Sequence, residues 1–329
     1  RVADVEAFWQ EQRLDESSNI QFGEGGAGTF SDGKLMTRIN DGFCRVVLEE
    51  FVAHGAPKEI LTAAKPHIGT DLLRKVVVAI RQEIVAMGGE VRFHAVAEDI
   101  IAKDGKITGV IAQGEEIPCD CLILAPGNAA RPLFTCCMER GIAMEAKPFS
   151  VGARIEHPQE AIDHAMYGDY AGHPKLGHAE YQLSERETDT GRAVYTFCMC
   201  PGGFVIPAAT GPEQLVVNGM SPSNRGTAWS NSGMVVETHP EDVAQFVKEH
   251  QSVIEQQEMK AQENASLFTP HSSLQMMYFQ EIVEKQCWQQ GNMKQTAPAQ
   301  RMADFVNNRL SYDCLLYTSP SPRDRSLSR

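Results

Sequence analysis

The sequence predicts an α/β fold, with part of a parallel sheet and a β-meander in residues 1–130 and a more irregular α+β domain in residues 131–313. Three observations carry this: a long amphipathic helix stopped by Gly88-Gly89, a run of short strands punctuated by turns, and a continuous apolar stretch cut off at Pro126-Gly127.

Asp4 to Trp9 already has apolar residues at helical spacing, so the chain opens inside a helix and reads as an internal piece of a longer protein. Phe43 to Ala53 reads as a second helix. From Thr70 to Met87, Leu72, Leu73, Val76, Val77, Ile80, Ile84 and Met87 recur at three- and four-residue steps, with Asp71 suited to the positive N-terminal end. Glu90 to His94 then alternates as a strand does. Val96 to Ile101, Ile107 to Ala112 and Ile117, separated by turns at Asp104-Gly105 and Gly114, form the expected antiparallel meander. Cys121-Leu122-Ile123-Leu124-Ala125 is apolar without alternation, as a strand covered on both faces of a parallel sheet would be. Beyond it, Phe149 to Ile155, Val194 to Cys198, Phe204 to Ala208 and Leu215 to Val217 are strand-like, and Glu241 to Gln262 and Gln275 to Gln290 helical. Residues 314–329 end in a Ser/Pro/Arg run without period, resemble translated sequencing-adaptor sequence, and are set aside as a non-native tail.

With 329 residues, 42% of them hydrophobic, the chain can bury a sizeable core. Its net charge of -13 argues against nucleic acid, whose binding needs Lys and Arg to neutralise phosphates. It contains no apolar run of the roughly 20 residues that cross a bilayer, so no membrane partner is expected. Nine cysteines in this length do not form a disulfide scaffold, and a reducing, cytoplasmic location follows. The pairs Cys119/Cys121 and Cys198/Cys200 are spaced more tightly than zinc knuckles, so no metal is expected.

Gly23-Glu24-Gly25-Gly26-Ala27-Gly28 spells G-x-G-x-x-G, but polar, Ser-rich residues 14–22 stand where its buried strand should be, and Gly33 where its helix should be. It is therefore not the primary dinucleotide fingerprint. Five glycines between Gly23 and Gly33, with Thr29, Ser31, Asp32 and Lys34 among them, nevertheless offer bare backbone N–H groups and hydroxyls. A surface turn needs one or two glycines, and the stretch is read as a contact to an anion or a flat ligand through Gly25, Gly26, Ala27, Gly28, Thr29, Ser31, Asp32, Gly33 and Lys34.

Residues Gln21 to Leu35, Ala64 to Asp71, Leu122 to Asn128, Ala146 to Gln159, Tyr195 to Gly203 and Ala297 to Arg301 together resemble a family of bacterial FAD-dependent dehydrogenases. The resemblance implies a glutathione-reductase-like FAD/NAD(P)-binding fold: an incomplete Rossmann-like FAD domain over 1–130 and a substrate or cap domain over 131–313. It also implies that Ala125, Pro126 and Gly127 pass close to the dinucleotide, with Pro126 in place of the more usual Thr and without an N–H to donate. The first strand and true fingerprint would lie upstream of Arg1, and a segment closing over the flavin beyond Asp313. FAD is the implied cofactor, NADH or NADPH an implied electron donor, and a small-molecule substrate or electron acceptor the implied partner.

In such an enzyme the flavin transfers the hydride or electron, and the protein positions it and excludes water. The residues that could assist are Cys200, with Cys198, as a thiol, and Arg154, Lys147 and His157 as holders of an anionic substrate or of charge on reduced flavin. Each has a plainer role as a strand residue; His67, before Ile68-Gly69-Thr70, is open to two readings, a ligand contact at the helix start or a hydrogen-bonded loop histidine. An FAD-dependent oxidoreductase and a nucleotide-binding protein without redox turnover are the two readings that follow.

Overall fold

The computed structural model describes residues 1–30, 33–35, 37, 39, 41–250, 272–311 and 316–318. The chain falls into two compact units, each assembled from separate stretches: Arg1–Val91, Ser150–Glu237 and Cys287–Arg329 in the first, Arg92–Phe149 and Thr238–Gln286 in the second.

In the first unit, α1 spans Val2–Glu11, α2 Phe43–Ala53 and α3 Thr70–Ala86, at or within two residues of the bounds that apolar spacing predicts. Gly69, at φ +85°, turns the chain into α3, and Asp71 in its first turn accepts Ser223 Oγ at 2.8 Å and Ser223 N at 3.3 Å. Two apolar clusters hold this unit. One joins Val5 and Phe8 of α1 to Ile20, Phe30 and Ile206; the other joins Ile60 and Ile68 to Leu73 and Val76 of α3.

A four-stranded sheet lies in the same unit. β4 (Phe149–Pro158), β9 (Trp229–Thr238), β6 (Ala193–Cys200) and β5 (Ser184–Arg186) are ordered β4-β9-β6-β5, beside a two-stranded ladder of β7 (Phe204–Pro207) and β8 (Val217–Met220). β6 runs antiparallel to both β5 and β9, and its register slips between Phe197 and Cys200. α5 (Gln159–Tyr167) leaves directly from β4.

The second unit contains the predicted meander, β1 (Ala97–Lys103), β2 (Lys106–Ala112) and β3 (Glu115–Pro118), paired antiparallel. Both turns use two consecutive positive-φ residues, Asp104-Gly105 (52° and 73°) and Gln113-Gly114 (52° and 73°), the geometry whose twist matches flanking strands. α4 (Arg131–Glu139), α6 (Pro240–Glu249) and α7 (Gln275–Gln290) surround a core of Val243, Val247, Leu274, Met276, Tyr278 and Ile282. Residues 251–262 of the predicted helix Glu241 to Gln262 lie outside the described residues.

Arg140, after α4, grips Asp99 of β1: Nε donates to Oδ1 at 2.7 Å and Nη2 to Oδ2. These bonds hold the Asp99 carboxyl at about 2. A depressed folded-state pKa gives stability that is complete above the unfolded value near 4 and is lost as pH falls through about 2. Asp99→Asn is therefore expected to remove a step from the acid-unfolding profile between about pH 4 and 2, read by circular dichroism. An unaltered profile would show that the pair contributes nothing to stability.

Two expectations are corrected. Glu90 to His94 and Cys121 to Ala125 form no strand, and β1-β2, β2-β3, β5-β6, β6-β9 and β7-β8 pair antiparallel, so the described residues form a mixed α/β chain in which the expected parallel sheet is not seen. Ile123 is 85% exposed and Leu124 42%. The pentapeptide has the composition of a doubly covered strand, but the described residues supply no neighbouring strand to cover it.

Candidate functional site

The motif Arg154 to Gln159 is the hub of the first unit, because β4 alternates its side chains between two faces and then delivers the next residues to α5. From one face, Arg154 Nη1 donates to Asn231 Oδ1 on β9 (2.6 Å) and to Cys198 O on β6 (3.3 Å), and Nη2 to Asn218 Oδ1 on β8 (3.2 Å). From the other, His157 Nε2 meets Tyr181 OH at 2.8 Å and its Nδ1 meets Ser230 Oγ at 2.7 Å. Burial holds His157 below the usual histidine range and pushes the Tyr181 phenol up, so both stay neutral near pH 7. Gln159, 2% exposed, accepts from Gly202 N at 3.1 Å, and donates to Asp163 Oδ1 and to Ala179 O.

These contacts converge on the Cys198–Gly203 corner. Cys198 takes a left-handed φ of 47°, in the stretch where the β6 register slips, and Cys200 Sγ donates to the Cys198 carbonyl at 3.4 Å. Cys200 is fully buried and Cys198 exposed. Gly219 lies against this cluster: a Cβ there would stand 2.3 Å from Arg154 Nη1, 2.5 Å from Asn231 Oδ1 and 2.7 Å from Cys200 Sγ.

Arginine only donates, so Oδ1 of Asn231 must face Arg154 and the amide orientation is settled. The NH2 group then points elsewhere, and Asn231 Nδ2, fully buried, meets no acceptor among the described residues. Such an orphan costs about 1–3 kcal/mol. Among the described residues Arg154 itself bonds only neutral oxygens.

The glycine-rich stretch belongs to the same unit and folds around Arg1. Its guanidinium donates to Asn19 O, Ile20 O, Glu24 O, Gly26 O and Thr29 Oγ1 at 2.6–2.8 Å, and lies 4.7 Å from the Phe30 ring centre. Burial, then Arg74, lowers the Arg1 pKa to about 10. Gly23 is bare because a Cβ would meet Arg1 Cδ at 2.4 Å. Gly26 to Phe30 forms a 3-10 helix with no strand before it, as the failed fingerprint context requires. The carbonyls of Glu24 and Gly26 turn inward. In planar trans peptides the N–H lies opposite the carbonyl, so the N–H groups of Gly25 and Ala27, both exposed residues, turn outward.

Of the remaining ligand candidates, Thr29 is 2% exposed and bonded to Arg1 and Gly26, and thus serves the loop itself. Gly28 packs against Leu73. Gly33 and Lys34 pair with the segment before α3, through Ile68 N to Gly33 O and Leu35 N to Pro66 O, with His67 opposite Lys34. Gly33 has no room for a side chain, its Cβ position being 2.7 Å from Gly69 N. Lys34 Nζ donates to Met199 O, which brings the loop to the Cys198–Gly203 corner. Ser31 and Asp32 lie outside the described residues. Ala125, Pro126, Gly127 and Lys147 belong to the second unit; Ala125, Gly127 and Lys147 are exposed there, and Gly127 has φ +78°.

The structure thus joins Arg154, Cys200 and Lys34 in one unit and adds Asn218, Asn231, Gly219, Gln159 and Tyr181, which sequence reasoning did not single out. Among the described residues no group of three or more His, Cys, Asp or Glu side chains is placed to hold a metal, and no helix is long and apolar enough to cross a membrane.

The hub lies inside a match to a known family. Residues 148–323 match the model of the family described as FAD-dependent protein, C-terminal domain-like, a match that runs into the 314–329 stretch set aside above. A protein of Clostridium beijerinckii, described as an uncharacterized protein, is 42% identical over 311 residues, which are 94% of this chain and 54% of that protein. The chain thus spans about half the length of this curated relative. By the match over more than half its length, the chain belongs to this family of FAD-dependent proteins.

Proposed function

We propose that the chain is part of an FAD-dependent oxidoreductase, a dehydrogenase whose substrate or electron acceptor is a small molecule. The observation that carries this reading is the family match over residues 148–323, which contains the whole Arg154–Gln159 hub and the Cys198–Gly203 corner. The glycine-rich stretch fits the cofactor. Inward carbonyls on Arg1 leave the Gly25 and Ala27 N–H groups outward, a pattern that suits phosphate oxygens of a dinucleotide. Gly25 and Ala27 would hold the cofactor through these groups.

When bound, the flavin supplies hydride or electron transfer to and from substrate. The chain's own residues bind and orient. Gln159 fixes Gly202, Arg154 fixes the Cys198 carbonyl, and half-buried, neutral His157 and Tyr181 form a hydrogen-bonded path that can hold a proton at the Tyr181 oxygen. The same reading places Cys121–Ala125 in a parallel sheet completed by further chain of the full-length protein, in the glutathione-reductase-like manner, and the protein in the cytoplasm.

Purified full-length protein is expected to carry flavin absorbance released on denaturation, and to be reduced anaerobically by NADH or NADPH. A colourless protein that takes up no added FAD would end the proposal. Bound FAD that neither nucleotide reduces would favour nucleotide binding without turnover.

A further inference from the structure

We infer that His54 is a pH-sensitive latch between α2 and α3, closed while both ring nitrogens carry protons and released when one proton is lost. His54 caps the C-terminus of α2, with its side chain 10% exposed. Nδ1 lies 2.7 Å from the Glu50 carbonyl oxygen in the last turn of α2, and Nε2 meets a Glu83 carboxylate oxygen on α3. A carbonyl and an ionised carboxylate only accept, so both nitrogens must donate; a neutral imidazole has one N–H and would turn a lone pair on the other oxygen. Among the described residues no other cation lies within ion-pair distance of Glu83. The charged groups facing the ring are Glu83 from α3 and, from α2, Glu50, whose Oε2 is 3.9 Å from Nδ1. The 3-10 turn Lys58–Leu61, also packed on α2, carries Lys58 and Glu59, both exposed and of opposite sign. The Glu50 carbonyl and then Glu83 raise the His54 pKa above its usual 6.5, with burial opposing.

A raised folded-state pKa gives a contribution that is complete below 6.5 and is lost as pH rises through the folded value. The contribution falls on a lightly held element. No residue of α2 is buried, and Phe43, Val46 and Val47 face solvent; the helix rests through half-buried Leu48, Phe51 and Val52 on the cluster of Ile60, Ile68, Leu73 and Val76. Helices with so few buried apolar contacts open locally, ahead of the rest of the fold. Ile68 of that cluster also donates its N–H to Gly33 O at 3.1 Å, which ties the surface that α2 covers to the end of the glycine-rich stretch.

The test follows the imidazole nitrogen signals of the whole chain with pH by NMR, together with amide exchange over residues 43–53, expressed as protection so that the intrinsic pH dependence of exchange drops out. His54 is expected to keep both ring protons in most molecules at pH 6.5. Protection of α2 is expected to fall as pH rises, in total by about tenfold for each pH unit by which His54 titrates above 6.5. Glu83→Gln keeps an acceptor without the charge, so it lowers the titration point and shrinks the fall; His54→Gln removes the fall. A ring that titrates at or below 6.5, protection that does not change with pH, or a pH dependence that survives His54→Gln would overturn the inference. Should His54→Gln unfold α2, Glu83→Gln decides alone: an unchanged titration point with an unchanged fall overturns it.

Discussion

Glu284→Ala is expected to destabilise the second unit by about 3 kcal/mol. Arg131 of α4 and Glu284 of α7 meet at 2.9 Å with side chains 11% and 7% exposed, and Glu281 lies 3.5 Å from the other arginine nitrogen. Removing Glu284 leaves a buried guanidinium whose Nε already has no acceptor among the described residues. The figure stands at the low end for a broken buried pair, about 3–5 kcal/mol, because Glu281 remains. Urea denaturation checks it. A loss below about 1 kcal/mol would mean that the pair behaves as an exposed one. The double variant Arg131→Met with Glu284→Met should recover most of the loss, since apolar side chains of similar size leave no charge behind.

Gly202→Ala is expected to cost about 2–5 kcal/mol and to disorganise the Cys198–Gly203 corner. Two separate penalties add. The residue sits at φ +53°, where an L side chain costs about 1–2 kcal/mol, and a Cβ would stand 1.7 Å from the Arg225 carbonyl oxygen, a backbone atom that cannot swing away. Gly172→Ala separates the two, because Gly172 has φ +78° with open space around it. Thermal unfolding of both variants should show a clearly larger loss at Gly202. Equal losses would show that the Arg225 contact relaxes freely. In full-length protein, Gly202→Ala should also lower flavin retention, since Gly202 N is the atom that Gln159 holds.

Much of the secondary structure was legible because it is written in local periodicity. The three- and four-residue spacing located α3 to within a residue at its end, and Asp104-Gly105 and Gly114 marked the meander turns, where glycine accepts the positive φ that the turn needs. Cys121–Ala125 misled for a physical reason. An unbroken apolar run states that a strand needs cover on both faces; it does not state that nearby chain provides the cover, and this chain spans 54% of its relative's length. The site was half legible. Arg154, Cys200, Gly33 and Lys34 stood out as charged, nucleophilic or unhindered residues in recognisable motifs. Asn218 and Asn231 did not. They are ordinary polar strand residues, and their importance comes from meeting an arginine 64 and 77 positions away, Asn231 because β9 neighbours β4 in the sheet and Asn218 from β8 of the adjoining ladder.

The bare pentapeptide from Cys121 to Ala125 has a bearing on handling as well as on fold. Its Leu-Ile-Leu centre has no ladder partner among the described residues, and Ile123 is 85% exposed. An uncharged stretch of this kind, free of proline until Pro126, is a template onto which a second polypeptide can add by backbone pairing, as in amyloid-type stacking. A charged residue at Ile123 would act as a gatekeeper against such pairing.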